Sequence, residues 1–408
     1  MTFCALSSAK GMDIKMNISI VGDKCVGCHA CEQACPVACI EFKENPEGFC
    51  YPVIKKDNCI DCNKCANSCP VLNKPKVNKI KQVYAGWVLK QDIIKKSSSG
   101  GVFASLAQSV LSENGKVYGC AYDDELKPRH IGIDDNNELF KLQGSKYVES
   151  DIGNTYGKIE KQLKKGEKVL FSGTPCQCAG LRRYLGKEYD NLIVVDIICH
   201  GVPSRKLFKS YISYLETKKR GRLVSFDFRN KDKHGWSLTY KYKIEKRKRI
   251  KEYQGIASLS SYYYGFLAGF MYRQCCYQCP FANPDRISDI TLGDYWGIEK
   301  IDPNNNNYQG VSAIIVNTET GKRLLEKVSG EVQLVESTFE KVSIQNSNLL
   351  HPTSKNQLRE VIYSEYQKYG YEYIAKKYLR TPHYCLELVK SAIPNNKRQK
   401  IKKIIKRK

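Results

Sequence analysis

Lys168-Val-Leu-Phe-Ser-Gly-Thr-Pro-Cys176 and Asn191-Leu-Ile-Val-Val-Asp-Ile-Ile-Cys199 bracket the segment that decides the fold. Lys168–Ser172 is a short, nearly unbroken apolar run, the pattern of a buried strand. Gly173-Thr-Pro175 makes a turn, and Cys178–Leu185 continues as a helix. Asn191–Ile198 is the next strand, and Ser204 is placed to cap the helix Arg205–Glu216. A strand, a helix and a strand with a short crossover make the two strands parallel neighbours. Cys176 and Cys199 then emerge at one carboxyl edge, where open α/β sheets hold ligands. The class is α/β, α+β overall, with a partly parallel sheet.

Working outward, the cysteines dominate. The 408 residues contain 19 of them, too few for a small disulfide scaffold and too many to be incidental. The chain is 42% hydrophobic and 26% charged, which excludes a disordered polymer. No apolar run approaches the roughly 18 residues of a membrane span. Met1–Ala9 lacks the basic start and long apolar core of a secretory signal, and Met12 and Met16 offer alternative starts. Residues 1–16 therefore read as a leader, and the expected compartment is the cytoplasm, where thiols stay reduced and serve metal or redox chemistry.

Cys25-Val-Gly-Cys28-His-Ala-Cys31-Glu-Gln-Ala-Cys35-Pro36 and Cys59-Ile-Asp-Cys62-Asn-Lys-Cys65-Ala-Asn-Ser-Cys69-Pro70 share the spacing C-x2-C-x2-C-x3-C-P. This duplicated run is the bacterial ferredoxin pattern for two [4Fe–4S] clusters, in which the fourth cysteine serves the other cluster. Cys25, Cys28, Cys31 and Cys69 are assigned to one cluster, and Cys59, Cys62, Cys65 and Cys35 to its twin. Zinc is the competing ion for C-x2-C pairs, but two identical quartets with both prolines argue against it. His29 reads as a loop residue tuning hydration, and Cys39 and Cys50 as small apolar fillers. Cys276-Tyr-Gln-Cys279 supplies a further C-x2-C pair. Folded over the sheet edge, it would join Cys176 and Cys199 in a third [4Fe–4S] site; isolated buried cysteines are the alternative. Cys276 is preferred to Cys275 for its spacing.

Two polar loops complete the site candidates. Lys96-Ser-Ser-Ser-Gly-Gly101 opens a helix over Val102–Leu111, offering backbone N–H groups and a positive dipole end to an anion such as a dinucleotide pyrophosphate. Gln143-Gly-Ser-Lys-Tyr147 adds a cation, or is a plain surface turn. Phe226–Trp236 and Ser237–Glu245 alternate like a hairpin with a long basic tip, and Lys246–Arg249 is a charge run of the kind usually solvated.

Ser98-Ser-Gly-Gly-Val-Phe103, Gly144-Ser-Lys-Tyr-Val148, Ser172-Gly-Thr-Pro-Cys-Gln177, Cys199-His-Gly-Val-Pro-Ser204, Phe228-Arg-Asn-Lys231 with Gly235-Trp236, and Cys276–Gly297 occur in this order. Together they resemble the coenzyme F420 hydrogenase/dehydrogenase beta-subunit family, here with a fused ferredoxin domain. The resemblance implies a βαββαβ ferredoxin domain at 17–75. It also implies an N-terminal family region at 76–165, a C-terminal region with the third cluster at 166–345, and terminal helices with a basic tail at 346–408. FAD is implied as well, held by Ser98, Ser99, Gly100, Gly101, Gly144, Ser145, Lys146, Gly173, Thr174 and Pro175. Coenzyme F420 serves part of the family and is not carried over to this chain. Ferredoxin-fused chains of this kind resemble those associated with surface-polysaccharide gene sets.

The expected function is a flavin and iron–sulfur oxidoreductase that moves electrons, in either direction, between its clusters and a two-electron organic substrate. Its partner is a redox protein or a small-molecule donor. Lys146, His200 and Asp294 are the acid–base candidates by placement, with no role assigned. The alternatives are a non-catalytic electron-transfer subunit and an iron–sulfur nucleic-acid-binding protein. Charge alone speaks for the last: Lys and Arg number 66 against 42 acids, +24 in all. Three cubanes and a pyrophosphate bring this to roughly +16, and eight of the positive charges fall in Lys397–Lys408. No nucleic acid is therefore expected, and the tail suits weak contact with an anionic membrane surface.

Overall fold

The computed structural model describes residues 17–392. The leader at 1–16 and the tail at 397–408 lie outside the described residues. The two cysteine repeats fold alike. Each carries a left-handed residue, His29 or Asn63, that opens a short helix, Ala30–Gln33 or Lys64–Asn67. Between them β1 (Ile40–Glu44) and β2 (Cys50–Ile54) pair antiparallel, Ile40 opposite Ile54.

The outer strands expected of a βαββαβ unit are replaced. Ile18–Lys24 is a 3-10 turn broken at Gly22, and residues 70–77 are turn and coil. The repeat is instead backed by the larger domain. Val26, Cys28 and Ala30 share one core with Tyr156, Ile159 and Leu181, and Arg183 donates to the carbonyl of Asn67.

The larger domain is built on eight strands of one sheet. β3 (Gln82–Val88), β4 (Lys116–Tyr122), β5 (Pro128–Ile133), β6 (Val169–Gly173) and β7 (Leu192–Ile197) come first. β8 (Arg222–Asp227), β9 (Thr239–Lys246) and β10 (Arg249–Ile256) form a separate antiparallel sheet. β11 (Ile290–Asp294), β12 (Ser312–Val316) and β13 (Val332–Glu336) rejoin the first, giving the order β13-β3-β12-β11-β7-β6-β4-β5.

β4, β6, β7 and β11 are parallel, as the reading of 168–199 requires. The antiparallel flanks come from pairing β3, β12 and β13 at one end and β5 at the other. Alternation along the central strands feeds two cores. Leu170, Ile193 and Val195 face the helix Val102–Ser112, whereas Val169, Phe171, Leu192 and Val194 face the helices Thr155–Lys164 and Pro175–Leu185. Each such buried side chain contributes about 1.5–3 kcal/mol.

A tyrosine-rich core joins β8–β10 to the C-terminal helix Leu358–Lys377, through Tyr211, Tyr262, Tyr263, Tyr363 and Tyr371. The basic tip between β8 and β9 is not a solvated loop. Arg229, Lys231 and His234 are buried because the tip folds back onto the sheet edge. Lys246–Arg249, by contrast, is exposed at the β9–β10 turn. Among the described residues no helix is long and apolar enough to cross a membrane.

Candidate functional site

The ferredoxin-like repeats bring their cysteines together in the crossed arrangement. Cys31 lies within electrostatic range of Cys25, Cys28 and Cys69, and burial pushes all four thiols up. Cys35, Cys59, Cys62 and Cys65 line a second, small cavity of about 20 Å³. Cys39 is more than a filler there: its N–H donates to the Cys35 sulfur at 3.4 Å. His29 is buried rather than hydrated. It stacks on Phe42 at 3.8 Å, and its Nδ1 meets Glu32 Oε2 at 2.8 Å.

The third quartet is assembled by the sheet. Cys176 opens Pro175–Leu185, whose first turn is fixed by a Thr174–Gln177 capping box with Pro175 at its start. Cys199 follows β7 directly, and the turn Gln274–Gln278 carries Cys276 over both, with Cys279 just after it. Burial pushes Cys176 up to about 12 and Cys279 up to about 11, and each feels Cys276. Cys199 feels the other three. Cys275, the neighbour passed over in favour of Cys276, is buried in the same core as Cys28 and Phe281.

Among the described residues no three His, Cys, Asp or Glu side chains converge on a single metal ion. Tetrahedral zinc would need its sulfurs about 3.8 Å apart. The all-cysteine donor sets suit an iron–sulfur cluster, whose ligands are thiolates. The quartets also lie in a row. Cys31 feels Cys65 of the outer set, and Cys28 feels Cys176 of the third. Gly180 has no room for a Cβ, which would lie 3.0 Å from the Cys28 sulfur.

Beyond the third quartet opens a cavity of about 440 Å³, lined by Cys176 and Cys199, within the usual range of ligand pockets. Ser98, Ser99, Gly101, Gly144, Ser145, Lys146, Gly173 and Thr174 all line it, as do Lys146, His200 and Asp294 as acid–base candidates. The helix Val102–Ser112 points its positive end there from Gly101, which is left-handed at φ 84°. Gly144, at φ 78°, faces open space. Hydroxyls, a helix N-terminus and a lysine suit a flavin dinucleotide.

Two expected contacts are absent from this wall. Gly100 lies behind it, its N–H spent on Ser312 Oγ at 3.0 Å, and a Cβ there would be 2.2 Å from the Gly86 carbonyl. Pro175 is buried in the cap. Asp294 is held by three donors: Arg229 Nη1 at 2.6 Å, Arg229 Nη2 at 2.9 Å and Trp236 Nε1 at 2.6 Å. Lys146 Nζ donates to the carbonyls of Gln143 and Lys141, and burial lowers its affinity for a proton. Burial likewise pushes His200 down, against Asp294.

Four residues at this site escape a reading by pattern. Lys231 Nζ donates to the Ser99 carbonyl at 2.6 Å and the Ile94 carbonyl at 2.7 Å, pinning the Ser/Gly loop. Arg229 stands behind Asp294; both cations were hidden in the basic tip, although the Phe228–Lys231 string marked the place. His130 meets the Ser172 carbonyl at 3.1 Å and Ser150 Oγ at 3.0 Å, and burial pushes it down to about 4. Trp236 stacks on Trp296 at 4.9 Å beside the cavity.

Residues 83–154 match the family model of the coenzyme F420 hydrogenase/dehydrogenase beta subunit N-terminus, and 166–341 that of its C terminus. Residues 24–73 match a 4Fe-4S dicluster domain. Among solved structures 13 chains match. One belongs to the F420-reducing [NiFe] hydrogenase complex from Methanosarcina barkeri, in a xenon derivative; it is 14% identical, covers 74% of this chain and 94% of its own, and has a TM-score of 0.42. No curated protein matches.

Proposed function

Because the chain belongs to the coenzyme F420 hydrogenase/dehydrogenase beta-subunit family, as an iron–sulfur electron-transfer subunit with a fused dicluster domain, we propose that it is a flavoprotein with three [4Fe–4S] clusters acting on an organic substrate. The observation that carries this reading is the row of three cysteine quartets ending at the 440 Å³ cavity. When bound, the clusters would relay single electrons and the flavin would exchange them in pairs.

The chain's own residues supply the rest. Cys176, Cys199, Cys276 and Cys279 form the cavity's inner end or back it. The Ser98–Gly101 and Gly144–Lys146 loops lie side by side on its wall, where Ser145 Oγ donates to Ser98 Oγ at 2.8 Å. Asp294 is an anchor for Arg229 and Trp236 rather than a free base. Of the three acid–base candidates, His200, half-buried on the cavity wall, is the one placed to exchange a proton with a substrate. A cytoplasmic setting, a protein redox partner and a place in surface-polysaccharide metabolism complete the proposal.

Iron, sulfide and flavin per chain after anaerobic purification test it. The reading requires about twelve irons and one FAD; eight irons without flavin would leave a decorated ferredoxin. The commitment of Asp294 and Lys146 to structural bonds favours a second reading, a subunit that only passes electrons to a partner enzyme. Reduction of an artificial acceptor by the isolated protein decides for catalysis, and strict dependence on a partner decides for the second.

A further inference from the structure

Arg273 is fully buried and touches the backbone of two cysteine quartets at once. Its carbonyl accepts the N–H of Cys276 at 2.9 Å, and its own N–H donates to the Val202 carbonyl, three residues past Cys199. The side chain then crosses to the ferredoxin unit, where Nε donates to the Cys25 carbonyl at 2.8 Å and Nη2 to the Cys50 carbonyl at 2.7 Å. Nη1 donates to Glu149 Oε1 at 2.8 Å, and the guanidinium lies 4.3 Å over the ring of Tyr51.

The loop between Cys25 and Cys28 is shaped around this pair. Gly27 is left-handed at φ 67°, and a Cβ there would lie 2.7 Å from Glu149 Oε1 and 3.0 Å from Arg273 Nη1. Asp61 takes the same position in the second repeat, also left-handed, at φ 49°. Glu149 Oε2 is buried without a hydrogen-bond partner, leaving Arg273 Nη1 on Oε1 as the contact that faces the junction. A plain docking pin needs neither charge, and burying both is costly.

We propose that Arg273 and Glu149 are an opposed charge pair that sets the reduction potentials of the two clusters meeting at this junction, the cation raising them and the carboxylate lowering them. These are the clusters of Cys25, Cys28, Cys31 and Cys69 and of Cys176, Cys199, Cys276 and Cys279. Reduction adds one negative charge to a cluster, so a fixed positive charge nearby favours it and a negative one opposes it. In a poorly screened interior, removing such a charge shifts a one-electron equilibrium by about tenfold, which is about 59 mV. Both residues are positioning residues for electron transfer, and the inference rests on the third cluster of the proposed function.

An EPR-monitored redox titration of the full, anaerobically loaded chain tests it, with the outer cluster of Cys35, Cys59, Cys62 and Cys65 as internal reference. Arg273→Gln should lower both junction potentials by about 59 mV, Glu149→Gln should raise them, and Arg273→Lys should stay near the parent. Shifts of the same sign in the two Gln variants, or none, with iron content at the parental level, would reduce Arg273 to a structural pin. Should Arg273→Gln lose iron, the upward shift in Glu149→Gln decides, and its absence overturns the proposal. Eight irons in the parent chain overturn the three-cluster reading and the charge-pair inference together.

Discussion

The ferredoxin unit and the proposed third site reach similar all-cysteine quartets by opposite routes. In the ferredoxin unit three of the four sulfurs of each set lie within seven residues, and a left-handed residue plus a one-turn helix aims them. In the larger domain Cys176, Cys199 and the Cys276–Cys279 pair are delivered by three separate parts of a sheet and its overlying turn. The first arrangement is held by local backbone geometry. The second exists only when β6, β7 and the turn before β11 are all in place, so its chemistry is coupled to the stability of the whole domain.

Cys199→Ser probes that coupling most severely. It should remove about four of about twelve irons and leave the ferredoxin EPR signals in place; loss of every signal would show that the two regions do not load separately. Next in size is Arg229→Met, which removes the buried guanidinium from the half-buried Asp294. Breaking such a pair costs about 3–5 kcal/mol, read as a lower denaturant midpoint, while iron in the ferredoxin unit stays at its native level. An unchanged midpoint would mean that the assembled site is not held by its long-range ion pair.

The smallest effect is a pH slope. His130 is pushed down to about 4 by burial, against 6.5 when free. Between these values the unfolded chain binds the extra proton, so stability falls as pH drops from about 6.5 through about 4. The loss reaches roughly 3 kcal/mol, and His130→Gln should flatten that part of the curve. A persisting slope in this variant would place the acid sensitivity elsewhere.

The same contrast governs what the sequence reveals. Both ferredoxin quartets are legible because their spacing is their geometry. The parallel pair and its two cysteines are legible because a buried βαβ run has one hand and one reactive edge. Arg273 is not, since nothing near it in sequence says that its partner is Cys25, 248 residues away. Arg229 and Lys231 read only as part of a basic hairpin tip and a resemblance string until the tip is seen folded under, and Gly100 reads as an anion-binding amide until Ser312 is seen to take its N–H. The missing outer strands of the ferredoxin unit follow the same logic: their place is taken by a neighbour that short-range pattern cannot specify.

Gly86 of β3 pairs with Ser312 of β12, 226 residues downstream. On the ribosome, at roughly 5–20 residues per second, β3 waits on the order of 10 to 50 s for its neighbour. The cysteine repeats have by then long left the exit tunnel with three sulfurs of each set already local in sequence, although the core that backs Val26, Cys28 and Ala30 comes later in the chain. Iron insertion into the repeats can therefore precede closure of the sheet. The third quartet, with Cys276 and Cys279 late in the chain, can be filled only around the time the nascent domain shuts, which makes it the step most exposed to a shortage of iron or to oxygen during synthesis.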